Sequence, residues 1–126
     1  MRFGLWPLVA VCLSVVGCAH PAERALSGRW LGEAVENFDS DELAEATAWA
    51  RGTMLEFKSS HLTVAIPSEE SRSGTYVLSS VVDRSVKLRV LDLEGQESEL
   101  ELVVDDEQHL RWVLGDGRAV VMKRED

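Results

Sequence analysis

Val86-Lys87-Leu88-Arg89-Val90, Leu100-Glu101-Leu102-Val103-Val104 and Leu110-Arg111-Trp112-Val113-Leu114 each carry apolar side chains at every second position. A period of two places those side chains on one face, as in a half-buried strand. Glu94-Gly95-Gln96, Asp105-Asp106-Glu107 and Gly115-Asp116-Gly117 separate the runs, and turns this short join antiparallel neighbours. Charge suggests the register. Leu88 is expected opposite Leu100, with Arg89 facing Glu99 and Lys87 facing Glu101. In the next hairpin Leu100 is expected opposite Trp112 and Glu101 opposite Arg111. Trp112 is then expected opposite Val120, and Leu110 opposite Met122.

Further runs upstream extend the pattern. Gly28–Glu36, Met54–Lys58, Leu62–Ile66 and Thr75–Val81 bring the expected strands to eight. One segment breaks the period. Asp39 suits an N-cap, Glu42 completes a capping box, and Phe38 with Leu43 forms a hydrophobic staple. Asp41 and Glu42 favour the positive end of a helix dipole, and Gly52 suits the position after its end. The spacing predicts a helix over 40–51, with Leu43, Ala46, Thr47 and Ala50 on one face and Trp49 beside it.

The chain has 126 residues, 13 basic and 22 acidic, for a net charge of −9. That length suits one domain. Charged content of 28% beside 45% hydrophobic residues fits a globular protein rather than an acidic tail. With no basic patch to meet phosphates, a nucleic-acid partner is not expected.

At the N-terminus, Arg2 precedes a nearly continuous apolar run from Leu5 to Val16. A helix over that run covers ~18 Å, short of a ~30 Å bilayer core, so a signal peptide is expected. Val15-Val16-Gly17-Cys18 closes the run and resembles the lipobox of bacterial lipoproteins. The resemblance implies cleavage before Cys18 and acylation of its sulfur and new amine. The expected organisation is a signal peptide over 1–17, a lipidated tether over 18–27, and a β domain over 28–126. Cys12 would leave with the signal and Cys18 would become a thioether. No thiol or disulfide would remain. Two or three acyl chains anchor firmly, and Ala19 after the cysteine implies, by family analogy, the outer membrane.

Gly28-Arg29-Trp30 resembles the Gly-x-Trp signature with which lipocalins begin. In that family the tryptophan packs across one barrel end against an arginine from the last strand, a role that falls here on Trp30 and Arg124. Small bacterial lipoproteins with lipocalin-like domains are similar in length. The resemblance implies an eight-stranded antiparallel up-and-down barrel. Three features depart from it: the mature chain would be shorter than a ligand-carrying lipocalin, no helix is expected after the last strand, and a helix stands between the first two strands. An open curved antiparallel sheet packed on that helix is the alternative.

Candidate chemistry is sparse. His61 and His109 fall on polar-facing positions, the second near Asp105, Asp106 and Glu107. A metal needs three or four converging ligands, and an Asp-Asp-Glu turn is the usual composition of a solvated hairpin loop. Ser79, Ser80 and Ser85 lack the context of an activated nucleophile. Glu99 and Glu101 share a face with Lys87, Arg89 and Arg111, which suits a charge ladder rather than a general acid. No glycine-rich run opens a helix to cradle phosphate. The sequence therefore suggests neither a catalytic centre nor a cofactor.

Two functions remain: a protein-interaction module, its acidic surface suited to a basic envelope protein, and a binder of a small hydrophobic ligand. The interior decides between them. By parity the inward set is Trp30, Leu55, Phe57, Leu62, Val64, Ile66, Tyr76, Leu78, Val86, Leu88, Val90, Leu100, Leu102, Val104, Leu110, Trp112, Leu114, Val120 and Met122. Nearly all are large. Gly32 and Ala34 are the small residues of the same parity, where the helix could dock. A filled core is expected, with no cavity above the ~300 Å³ of a binding pocket, which favours the interaction module.

Overall fold

The computed structural model describes residues 21–125. Its elements run α1 (Pro21–Leu26), β1 (Gly28–Glu36), α2 (Leu43–Arg51), β2 (Met54–Lys58), β3 (His61–Ala65), β4 (Arg72–Val82), β5 (Ser85–Asp92), β6 (Glu97–Val104), β7 (His109–Gly115) and β8 (Arg118–Arg124). β1 pairs with β2 along one edge and with β8 along the other, Trp30 lying opposite Arg124 and Glu36 opposite Ala119. The eight strands close, in sequential order, into an antiparallel barrel. Closure leaves no row of unpaired backbone groups, which an open sheet would expose. The open-sheet alternative is excluded.

Two of the three expected registers hold. Leu88 faces Leu100, Arg89 faces Glu99 and Lys87 faces Glu101, although the Arg89 guanidinium reaches Glu97, 3.7 Å away. Leu110 faces Met122 and Trp112 faces Val120. Between β6 and β7 the register is displaced by two residues, with Leu102 opposite Trp112 and Val103 opposite Arg111. The reason lies in the turn. The expected pairing would leave only Asp106 between the strands. In the observed turn Asp105 N–H donates to His109 O, and the Asp106 carboxylate accepts the Gln108 N–H at 2.8 Å. Arg111 does not meet Glu101: its guanidinium makes two hydrogen bonds to Asp105, at 2.9 and 3.0 Å.

Twelve of the nineteen expected inward residues are buried, and Val64, Leu78, Leu100, Val104 and Trp112 pack half-buried against them. Bulges account for two departures. β1 shifts register between Gly32 and Ala34, so Val35 takes the inward side that Ala34 was expected to hold. β7 shifts between Val113 and Gly115, leaving Leu114 as the extra residue and exposed.

Both helices differ from expectation. Six residues assigned to the tether form α1, which opens on proline as helices often do. A helix this short does not hold itself in water, and its anchor is Leu26, fully buried in the core. Among the described residues the packed body thus includes Pro21–Leu26 as well as the strands from Gly28 onward. α2 starts at Leu43, three residues later than expected. Glu42 occupies its N-cap with no side-chain cap bond, because Asp39 to Glu42 closes a separate turn through Glu42 N–H to Asp39 O. Leu43 is exposed; the buried edge of α2 is Trp49 and Ala50.

Candidate functional site

Antiparallel order sends alternate loops to opposite ends of the barrel, and the two ends differ. One is sealed. α1 lies there beside the turns after β4 and β6 and the end of β8. The Trp30 indole is fully buried and donates Nε1–H to Leu26 O at 2.8 Å. The Arg124 guanidinium carbon lies 4.2 Å from the centre of the Trp30 ring, within cation–π range. Arg124 also donates to three carbonyls: Ala25 O at 2.7 Å, Ser27 O, and Glu107 O at 2.8 Å. One side chain thus joins α1 and the β6–β7 turn to the indole. Tyr76 completes this end, its ring edge-on to Phe57 at 5.4 Å and its hydroxyl donating to Ser59 O at 3.3 Å. Burial, and secondarily the Glu23 charge, push the Tyr76 phenol above its ordinary value.

The other end is a partly plugged mouth, formed by the segment from Asn37 to Thr53, the 66–71 loop and the 93–96 and 116–117 turns. α2 lies across it. The Ala50 carbonyl sits on Gly32, and the Trp49 ring meets Trp112 with centroids 6.4 Å apart. Thr53, fully buried, donates its hydroxyl to Trp49 O at 3.0 Å and fixes the return of the chain into β2. Beside this plug a cavity of about 210 Å³ remains, its apolar lining from Leu62, Val64, Ile66, Val90, Leu100 and Trp112 and its charged lining from Glu69, Glu70, Arg72 and Asp92. That is smaller than the ~300 Å³ at which ligand pockets begin. Carboxylates crowd the rim: Asp39, Asp41, Glu42 and Glu45 around α2, Glu69 and Glu70 before β4, Asp92 at the end of β5 with Glu94 after it, and Asp116 before β8. Arg51, Arg72 and Arg118 are the cations there.

No family model matches the chain, and no curated protein matches it. Among solved structures it is similar to a lipocalin-like protein from Bacteroides uniformis, at a TM-score of 0.49 and 13% identity, over 80% of this chain and 99% of that one.

The remaining candidates are not brought together. His109 hydrogen-bonds Asp106 through Nδ1 at 3.1 Å, and Nε2 lies 3.9 Å from Glu33. The Gln108 backbone N–H and then His109 hold the Asp106 carboxyl below the usual carboxylate range. His61 lies opposite Thr75, away from this pair. Among the described residues no group of three or more His, Cys, Asp or Glu is arranged to hold a metal ion. Ser79 is the bulged residue of β4, and its hydroxyl donates to Lys87 O at 3.2 Å. Cys18 and the expected signal peptide lie outside the described residues. The sequence reading missed Leu26 and Thr53, which close the two ends. For α1 the signal was present in Pro21-Ala22-Glu23-Arg24-Ala25-Leu26, a proline followed by good helix formers.

Proposed function

We propose that the protein is a lipid-anchored, non-catalytic envelope protein that presents the mouth end of its barrel to a protein partner. The observation that carries this reading is the filled interior: side chains and α2 leave about 210 Å³, below the ~300 Å³ at which ligand pockets begin. The anchor rests on Val15-Val16-Gly17-Cys18. Cys18 stands three residues before Pro21, a span of at most ~11 Å. Acyl chains on it would hold the sealed end at the bilayer and turn the acidic mouth away from anionic headgroups. The same distribution suits a basic partner approaching from the far side.

A second reading, a binder of a small hydrophobic ligand, is supported by the apolar lining of the residual mouth cavity. Titration with a fluorescent fatty acid separates the two. The interaction reading expects no saturable binding; tight saturable binding reverses the order. For the anchor, metabolic labelling with a palmitate analogue should be abolished by Cys18→Ser, and undiminished labelling in that variant removes the lipoprotein claim.

A further inference from the structure

Outside the barrel, α2 and the β7–β8 turn enclose a groove of about 610 Å³. Its apolar wall comes from Phe38, Ala46, Trp49 and Leu114, with Glu42, Glu45, Asp116 and Arg118 around it. The β7 bulge is what turns Leu114 outward, where it is 40% exposed instead of joining the core. Arg118 is already engaged, lying 5.0 Å from the centre of the Phe38 ring and 3.7 Å from Glu42. Glu45 and Asp116 have no ion-pair partner among the described residues. The groove thus joins an exposed apolar wall to two uncompensated carboxylates, within a rim that is itself strongly acidic.

We propose that this groove docks a cationic amphipathic segment of a protein partner. One large apolar side chain would seat against Trp49 and Leu114, with Lys or Arg on either side of it facing Glu45 and Asp116. The proposal rests on the interaction reading above and names its surface and its chemistry. Burial of a single large side chain supplies the affinity, while the acidic rim steers the approach and rejects anionic segments.

The test uses the full-length protein in zwitterionic nanodiscs, with empty discs as the blank. The probes are a short fluorescent peptide alternating Lys with Leu and its counterpart with Glu in place of Lys. The Lys peptide should bind and the Glu peptide should not. Glu45→Gln with Asp116→Asn should weaken binding about threefold to tenfold, the scale of two exposed ion pairs. Leu114→Ser should weaken it further, while Glu69→Gln with Glu70→Gln, elsewhere on the rim, should leave it within about twofold. Circular dichroism checks that each variant is folded. Failure of the Lys peptide to bind, or equal losses from the two carboxylate pairs, overturns the groove. The fatty-acid titration on the same discs judges the underlying reading separately, since saturable uptake there counts against it whatever the peptides do.

Discussion

The carbonyl oxygen of Ala50 sits so close to Gly32 that a β-carbon added at Gly32 would fall 2.0 Å from it. The missing side chain is what lets α2 lie across the mouth. Gly32→Ala should therefore lift α2 from β1 and separate Trp49 from Trp112. Overpacking of this kind costs ~1–3 kcal/mol, read as a lowered Tm together with a red shift of tryptophan emission. An unchanged Tm would mean that the helix does not rest on this glycine.

At the sealed end Arg124 stacks on the Trp30 ring. The cation–π contact contributes ~0.5–2 kcal/mol, and truncation also strips the Ala25, Ser27 and Glu107 carbonyls of their donor. Arg124→Ala should destabilise at least as much as Trp30→Phe, with losses that do not add in the double variant. Arg124→Lys should recover little, because an ammonium lacks the planar fork that reaches several acceptors. Additive losses would show that the two side chains are energetically independent.

Leu26 distinguishes a folded α1 from a tether. Its side chain is fully buried, and truncating a buried leucine costs ~2–5 kcal/mol. Leu26→Ala should lower the urea midpoint accordingly, whereas Ala25→Ser, at a neighbouring half-buried position, should change it little. Equal and negligible effects would leave residues 21–26 as a linker.

How legible the fold was in the sequence depended on what each signal measures. Strand parity follows from burial, so twelve inward residues were placed correctly from alternation alone. The β5–β6 register was readable because apolar and charged pairs agree there. The β6–β7 register was not, because parity cannot distinguish pairings two residues apart, and the ion pair chosen to break the tie does not form. Arg111 prefers Asp105, which the turn holds within reach. Bulges were invisible for a related reason: a single extra residue reverses parity with no mark in composition, which hid both the inward turn of Val35 and the outward turn of Leu114. The groove beside α2 depends on that second bulge. Only Trp49, set beside the helix face in the sequence reading, hinted at it.

Tyr76 is the chain's single tyrosine, so its phenolate absorbance can be followed without interference from another. Burial, then the Glu23 charge, hold the Tyr76 phenol above its ordinary value, since both disfavour a phenolate. The folded state therefore keeps its proton at pH values where the unfolded chain has lost it. This contribution to stability is fully present below the unfolded value and is lost as pH rises through the folded one. A pH titration of the native protein should give a midpoint above that of the protein in denaturant, with stability falling as the midpoint is approached. Glu23→Gln removes only the second cause, so it should lower the native midpoint part of the way and leave the denatured midpoint unchanged. A native midpoint equal to the denatured one would mean that the ring is not buried at the sealed end. A raised midpoint that Glu23→Gln does not move would mean that α1 does not hold Glu23 near Tyr76.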